Sequence, residues 1–533
     1  MNERFARWHT LFFIYLKRDW KKIIIWILGV GLFSAGFVPA FEEIAKGQGL
    51  AAMYETLKNP AMIAIVGPTP VESAQDYTIG AMYAHEMLLF CGLLAMVISI
   101  LHVVGHTRKE EDLGVMELLR SFQIGRQANS LAVMAEVLLV NVILAVFIGG
   151  IMISFGTDTI TAEGSLLFGA SIGLAGILGA GIALVMAQLI PVSSGATGSA
   201  LGLIGLLYLI RAGTDVSNVS LSKINPFGWT YLTNPFTENN WNLAIFILIF
   251  SLLLTFIAFS LEGARDMGAG YLPVREGRAN AKKSLLSVRG LFIKINKGVI
   301  IGWFITFVFM GASYGSIYGD MQAFLSSNEI MKQMFTHAGT TIEESFTGTI
   351  MMVMCGLVSV LPIAIVNKLY AEENRLHLSQ LFATKVSRSQ FYWTNIVLAV
   401  VTGLAGILLA AGTLGGTAIA TMEEETMGFF EFLAVGLNFL PSILFFAGLA
   451  AIALGWAPKL GKLVYIYLVY SFSLNYFSNI LDLPEWFEKT AIQSWIPRMP
   501  MEEFDAPIFI TITIISIAMF IIGVVGYKRR DLS

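Results

Sequence analysis

Two short charged segments hold the residues best placed to pass a signal or a force. Glu110–Arg126 reads EEDLGVMELLRSFQIGR, and Glu372–Arg388 reads EENRLHLSQLFATKVSR. They align without gaps at an offset of 262, with identities at Glu110/Glu372, Glu111/Glu373, Leu119/Leu381 and Arg126/Arg388. Four identities in seventeen are weak alone, but each segment also follows the second apolar run of its half of the chain. The first is short, charged and helix-permissive, with Met116, Leu118 and Leu119 able to face back to a membrane. A charged helix joining two membrane spans is a lever: a partner gripping it moves both spans. An ordinary solvated loop is the competing reading for one copy, and the second copy weighs against it.

Catalytic chemistry finds less support. The six histidines are scattered, no Cys/His cluster has metal spacing, and no Ser/His/Asp order is arguable. A phosphate cradle needs G-x-x-x-x-G-K-[ST], so that backbone N–H groups, the Lys and a hydroxyl converge on phosphate and metal. The nearest approach, Gly455 to Gly461 and Lys462, has one residue too many and is followed by Leu463. No catalytic, cofactor-binding or metal-binding residue is therefore assigned. Charges within apolar runs are costly and more informative. His85 and Glu86 lie near the outer end of the second run, and Glu136 near the inner end of the third. Arg211 and Asp215, four apart, pair on one helical face in this reading.

The elements that must carry these residues follow from composition. Of 533 residues, 56% are hydrophobic and 13% charged, against roughly 25% charged in ordinary globular chains. So large an apolar excess exceeds what one soluble core hides. A net charge of -3 offers no basic footprint for nucleic acid. Cys91 and Cys355, both in apolar runs, exclude a disulfide scaffold. The chain reads as an all-α polytopic membrane protein. A span needs about 20 apolar residues, and twelve runs qualify: 23–41, 83–104, 131–155, 165–190, 193–213, 241–261, 299–318, 346–367, 392–415, 429–454, 463–481 and 507–527. The fourth and fifth meet at Pro191 with almost no loop, which makes theirs the least secure division. With both termini inside, 27 of the 34 Lys and Arg fall in inner segments and 7 in outer ones. Positive charge collects on the cytoplasmic side, so both termini are expected there.

The halves share more than the charged segments. The second and eighth runs each hold one cysteine, and ARDMG (Ala264–Gly268) after the sixth run answers RRDLS (Arg529–Ser533) after the twelfth. Equal polarity makes this a parallel six-plus-six duplication rather than an inverted repeat. The first half is placed at 1–267, a linker at 268–284 and the second half at 285–533. Each half opens on a basic amphipathic segment, 2–22 and 285–298. Their stripes are Phe5, Trp8, Phe12 and Leu16, then Val288, Leu291, Phe292 and Ile295. Such segments lie in the membrane interface.

Further stretches carry a family resemblance: NPAMIAIVGP (Asn59–Pro68), HTRKEEDLGVMELLRS (His106–Ser121), RAGTD (Arg211–Asp215), NPFGW (Asn225–Trp229), ARDMGAGYLPVREGRANA (Ala264–Ala281) and YKRRDL (Tyr527–Leu532). In this order and spacing the chain resembles the membrane subunits of bacterial ABC-2 type exporters, specifically the two-half exporters of polyketide antibiotics of tetronasin and narasin resistance. The second charged segment departs from the first, carrying Leu376 and His377 after EE-x-R. The resemblance implies a type V exporter fold with twelve transmembrane helices in two parallel six-helix halves. It also implies interfacial connecting helices, and re-entrant outer caps at 214–240 and 482–506. Pro and aromatic residues crowd both caps, and aromatic-belt anchoring is the competing account of them.

On that resemblance Glu110, Glu111, Gly114, Glu117, Arg120 and Arg126, with Glu372, Glu373, Arg375 and Arg388, couple the permease to a separate cytoplasmic ABC ATPase. That partner, expected as a homodimer per permease chain, would hold ATP and Mg. The path between the halves would be lined by Met82, Tyr83, Glu86, Met87, Phe90 and Tyr208, and by Phe346, Met351, Met352, Met354, Tyr467 and Tyr470. Met and aromatic side chains suit a large greasy ligand, and ordinary packing is the competing role for each. The expectation is an exporter of hydrophobic antibiotics, polyether ionophores or related polyketides, in the bacterial plasma membrane. A proton-driven major-facilitator transporter is the first rival. Against it, the loop after the second run lacks G-x-x-x-D-[RK]-x-G-[RK]. A sensor that signals through the ATPase without transport is another.

Overall fold

In the computed structural model every residue is described except 1–2, 47–48, 59, 274–279, 321–340, 376, 379–380, 382–385, 423–425, 482–483 and 532–533. The chain forms two compact units, Met1–Glu276 and Gly277–Ser533, and the described elements are helical.

The first unit holds α1 (Trp8–Ala35), the short α2 (Val38–Ile44), α3 (Gly49–Leu57) and α4 (Pro60–Val66), then α5 (Ile79–His106), α6 (Arg108–Asp112) and α7 (Val115–Arg120). It continues with α8 (Ala128–Ser154), α9 (Ala162–Leu189), α10 (Ser193–Ser217), α11 (Val219–Ser222) and α12 (Trp241–Ala264). Three of the long helices, α5, α9 and α12, begin where a small polar side chain caps free N–H groups: Thr78 accepts from Ala81, Thr161 from Gly164, Asn240 from Leu243. Helix α9 is the unit's centre, packed by α5, α8, α10 and α12, while α1 lies on α8. Its glycines make this approach close. A Cβ at Gly169 would lie 2.2 Å from the Ala145 carbonyl oxygen, and one at Gly176 2.0 Å from Asn141 Oδ1. The glycines of α10 differ: Gly198, Gly202 and Gly205 have nothing within 4 Å of an added Cβ. Small-residue packing therefore applies to α9 and not to the middle of α10.

The second unit holds α13 (Val288–Gly315), α14 (Ile342–Asn374), α15 (Arg388–Thr421), α16 (Phe429–Asn438), α17 (Leu440–Trp456), α18 (Leu463–Leu481), α19 (Glu485–Glu488) and α20 (Ala506–Arg529). Thr341 and Glu344 form a reciprocal capping box at the start of α14. Helix α15 packs on α13 and α14, and α17 on α14 and α20.

Eleven helical segments among the described residues are long and apolar enough to cross a membrane. The chain is a multi-pass helical membrane protein. The doubtful division at Pro191 is a true one, because α9 ends at Leu189 and α10 starts at Ser193. The expected run outside the eleven is 463–481. A helix, α18, does occupy it, but Tyr465, Tyr467, Tyr470, Asn475, Tyr476 and Asn479 dilute its apolar character. The amphipathic segments 2–22 and 285–298 are not separate helices. Helix α1 runs unbroken from Trp8 into the first apolar run, since no Gly or Pro interrupts 20–28, and α13 does the same from Val288. Of the linker 268–284, residues 274–279 lie outside the described part.

Candidate functional site

The segment after α5 is built as a clamped hairpin. Helix α5 ends at His106, α6 follows for one turn, and Gly114 at φ 73° redirects the chain into α7. A left-handed residue at that corner favours glycine, which has no Cβ to clash. Three acidic residues of the hairpin, Glu110, Glu111 and Asp112, reach neighbouring helices or the chain beside them. Glu111 takes a bidentate pair from Arg265 at 2.8 Å to each oxygen, and a third contact from the Gly268 N–H at 2.6 Å. Arg108, fully buried, donates to Glu111 at 3.0 Å and to the carbonyls of Pro191, Gly268 and Ala269 at 2.6, 2.8 and 2.9 Å. Glu110 accepts from Arg18 of α1 at 2.9 Å, and Asp112 accepts the Ser193 N–H opening α10 at 2.7 Å. Four helices of the unit are thus tied to one turn of chain.

The second unit repeats the central clamp. Glu373 takes a bidentate pair from Arg530, at 2.7 and 2.5 Å. In the first unit Arg126 donates to the carbonyl of the clamp arginine, Arg265; in the second Arg388 does the same to Arg530, at 2.9 Å. A carboxylate after the second span, an arginine after the sixth and an arginine opening the third therefore make the same three-way joint in each unit. Glu372 pairs with Lys368 at 3.3 Å and His377 at 2.7 Å. Residues 376, 379–380 and 382–385 of the second segment lie outside the described residues, while Arg375 is exposed.

Of the remaining predicted coupling residues, Glu117 and Arg126 are exposed and Arg120 is half-buried, reaching the Arg126 carbonyl at 3.5 Å. Met116 is buried and Leu119 packs on the core. Leu118 is 65% exposed, with Leu113 at 68% and Phe122 at 60%, so these three do not pack within the unit. The hairpin thus ties Glu110, Glu111 and Asp112 to neighbouring helices and leaves Leu113, Leu118 and Phe122 exposed beyond the Gly114 corner.

The predicted path residues fall into two groups. Met82, Tyr83, Phe346, Met351, Met352 and Met354 are buried within their own unit. Tyr83 donates to the Ser34 carbonyl at 2.9 Å. Phe90 is 40% exposed, and Glu86, Met87, Tyr208, Tyr467 and Tyr470 are half-buried. Tyr208 donates to the Ile65 carbonyl at 3.1 Å, and Tyr467 and Tyr470 reach Thr490 at 3.0 and 2.6 Å. A cavity of about 680 Å³ opens between α13 and α15 beside Arg289, Phe292, Trp393 and Val397. None of the predicted path residues lines it.

At the opposite ends of the helices, Arg211 and Asp215 pair at 3.1 Å as their spacing suggests. Arg211 also donates to the Ile65 carbonyl at 2.6 Å. Tyr231 donates to Asp215 at 2.6 Å, and burial beside that carboxylate pushes its phenol up. Sequence reasoning noted the aromatics of the two cap segments but missed their shared register. Trp229 Nε1 donates to the Lys223 carbonyl at 2.6 Å, and Trp495 Nε1 to the Lys489 carbonyl at 2.8 Å. The signal was there as K-x₅-W in both halves.

The geometry defines a multi-pass helical membrane protein with a clamped, apolar-tipped hairpin. Residues 285–528 match the family described as multidrug efflux system permease Rv1217c, C-terminal domain. The chain is 25% identical over 526 residues to the multidrug efflux system permease protein Rv1217c of Mycobacterium tuberculosis, covering 97% of this chain and 94% of that protein.

Proposed function

We propose that the chain is the permease of a drug efflux system, energised by a separate ABC ATPase dimer that binds ATP and Mg. The observation that carries the efflux reading is the similarity, along nearly its whole length, to a multidrug efflux permease. The ATPase reading draws its support from the hairpin. A tip of Leu113, Leu118 and Phe122 offers a partner an apolar foothold, and the clamped base transmits movement to α1, α5, α10 and the end of α12. In this reading the hairpin and the matching segment of the second unit face the cytoplasm, the membrane is the bacterial plasma membrane, and the cargo is a hydrophobic antibiotic of the polyether or polyketide class.

Glu111 and Glu373 are poor probes of coupling, since their loss disturbs the fold. The test uses Leu118→Ser with Phe122→Ser, in a chain co-expressed with an ABC ATPase of the same genome and placed in lipid. Expected is ionophore-stimulated ATP turnover by the parent complex. The variant should lose the ATPase on purification while unfolding at an unchanged temperature. Efflux from vesicles driven by a proton gradient with no ATPase present would overturn this reading in favour of a secondary transporter.

A further inference from the structure

At the hairpin end of the first unit two imidazoles stack between two carboxylates. The rings of His102 and His106 lie 4.1 Å apart and 21° from parallel. His102 Nε2 is 3.1 Å from Glu136 of α8, and His106 Nε2 is 2.8 Å from Asp19 of α1. His106 Nδ1 is 3.0 Å from the His102 carbonyl oxygen. A carbonyl only accepts, so Nδ1 carries a hydrogen. In a neutral ring Nε2 would then turn a lone pair on the Asp19 carboxylate at hydrogen-bond distance. The contact closes only with an additional proton between Nε2 and Asp19.

The surrounding charges call for the same proton. Facing the pair are Asp19, Glu110 and Glu136 against Arg18 and Lys22, with Tyr15 and Asn129 as neutral partners. Three carboxylates against two cations leave one negative charge, which one proton neutralises. Glu136 is fully buried, and its Oε1 has no hydrogen-bond partner. A second proton would set two cations face to face. The repeat shows that the fold does not require this cluster. At the same offset of 262, His102, His106 and Glu136 become Ala364, Lys368 and Leu398, and α13 carries no acidic residue. There Lys368 holds Glu372 with a permanent charge.

We propose that His106, stacked on His102, is a proton-binding site of the first unit. Its proton ties the end of α5 to α1 and so holds the α6–α7 hairpin in place. A proton taken from water adds to the Nε2 lone pair and forms the Nε2–H···Asp19 bond. When it leaves, Asp19 stays with Arg18 and Lys22 and the α5 end loses its side-chain tie to Asp19, while the Asn129 bond to the His106 carbonyl remains. The hairpin of the first unit is then responsive to pH on the side it faces, while at the matching place in the second unit Lys368 pairs with Glu372 within α14 through a permanent charge. This does not rest on the efflux reading.

The test is made on the full chain in lipid nanodiscs. Deuterium exchange at the imidazole C2 carbons reports the protonation of each histidine, and amide exchange over 107–126 reports the hairpin. With intrinsic rates divided out, His106 should gain one proton on acidification and His102 should not gain a second. Amide exchange should slow about tenfold over the same pH interval, the size of one charge-assisted hydrogen bond. His106→Gln keeps a neutral donor towards Asp19 and should give a slow, pH-independent hairpin. His106→Ala should give a fast one at every pH. If the parent hairpin exchanges independently of pH, or His106→Gln retains the parent's profile, the proposal fails. An unchanged unfolding temperature for His106→Gln separates this result from misfolding.

Discussion

Glu373 and Arg530 show what single side chains do here. Both are largely shielded, at 3% and 14% side-chain exposure, and each takes its main charge partner from the other. Removing one partner strands a shielded charge, which costs roughly 3 kcal/mol, whereas replacing both is far milder. Glu373→Gln and Arg530→Met should each lower the unfolding temperature in detergent. The double variant should recover part of the loss, and strictly additive losses would show that the pair does not act as a joint. The same chemistry in Glu111 and Arg265 is spread over more partners, including Arg108 and the Gly268 N–H, so its cycle should be less clean.

Helices α9 and α10 carry similar glycine-rich patterns and opposite surroundings. A methyl group at Gly169 would strike the backbone of α8, while one at Gly202 meets open space. Gly169→Ala should therefore cost about 1–3 kcal/mol through overpacking, and Gly202→Ala should be neutral or mildly stabilising. Thermal unfolding of the two variants side by side decides it; equal losses would mean that glycine serves α10 as well. Hairpin and cap segments follow the same logic, since each is a short run of chain whose polar groups are answered by neighbouring helices.

For the whole molecule the open quantity is orientation. The native cysteines, Cys91 and Cys355, are buried and free, so an introduced thiol is labelled against a quiet background. On the proposed orientation, Glu117→Cys should resist a membrane-impermeant maleimide in intact cells and react in inverted vesicles. Asp158→Cys, between α8 and α9, should do the reverse. Labelling of both from outside would overturn the orientation and place the hairpin away from any cytoplasmic partner.

Composition and patterning alone determined that this chain lives in a membrane and roughly where its helices run. Burial of 20-residue apolar runs is a local property, and so is the capping by Thr78, Thr161 and Thr341. Pairing within one helix was equally legible, as Arg211 and Asp215 show. The repeat of Glu111 and Arg126 in Glu373 and Arg388 marked the two segments as a pair, but not the inward use of their carboxylates. Arg265 and Arg530 lie about 150 residues from the carboxylates they hold, and no periodicity reports such a distance. Only the tertiary structure turned Glu111 and Glu373 in, merged the amphipathic segments into α1 and α13, and brought Asp19, His102, His106 and Glu136 together from three helices. Spacing along a helix sets which residues share a face; the packing of other helices decides what that face meets.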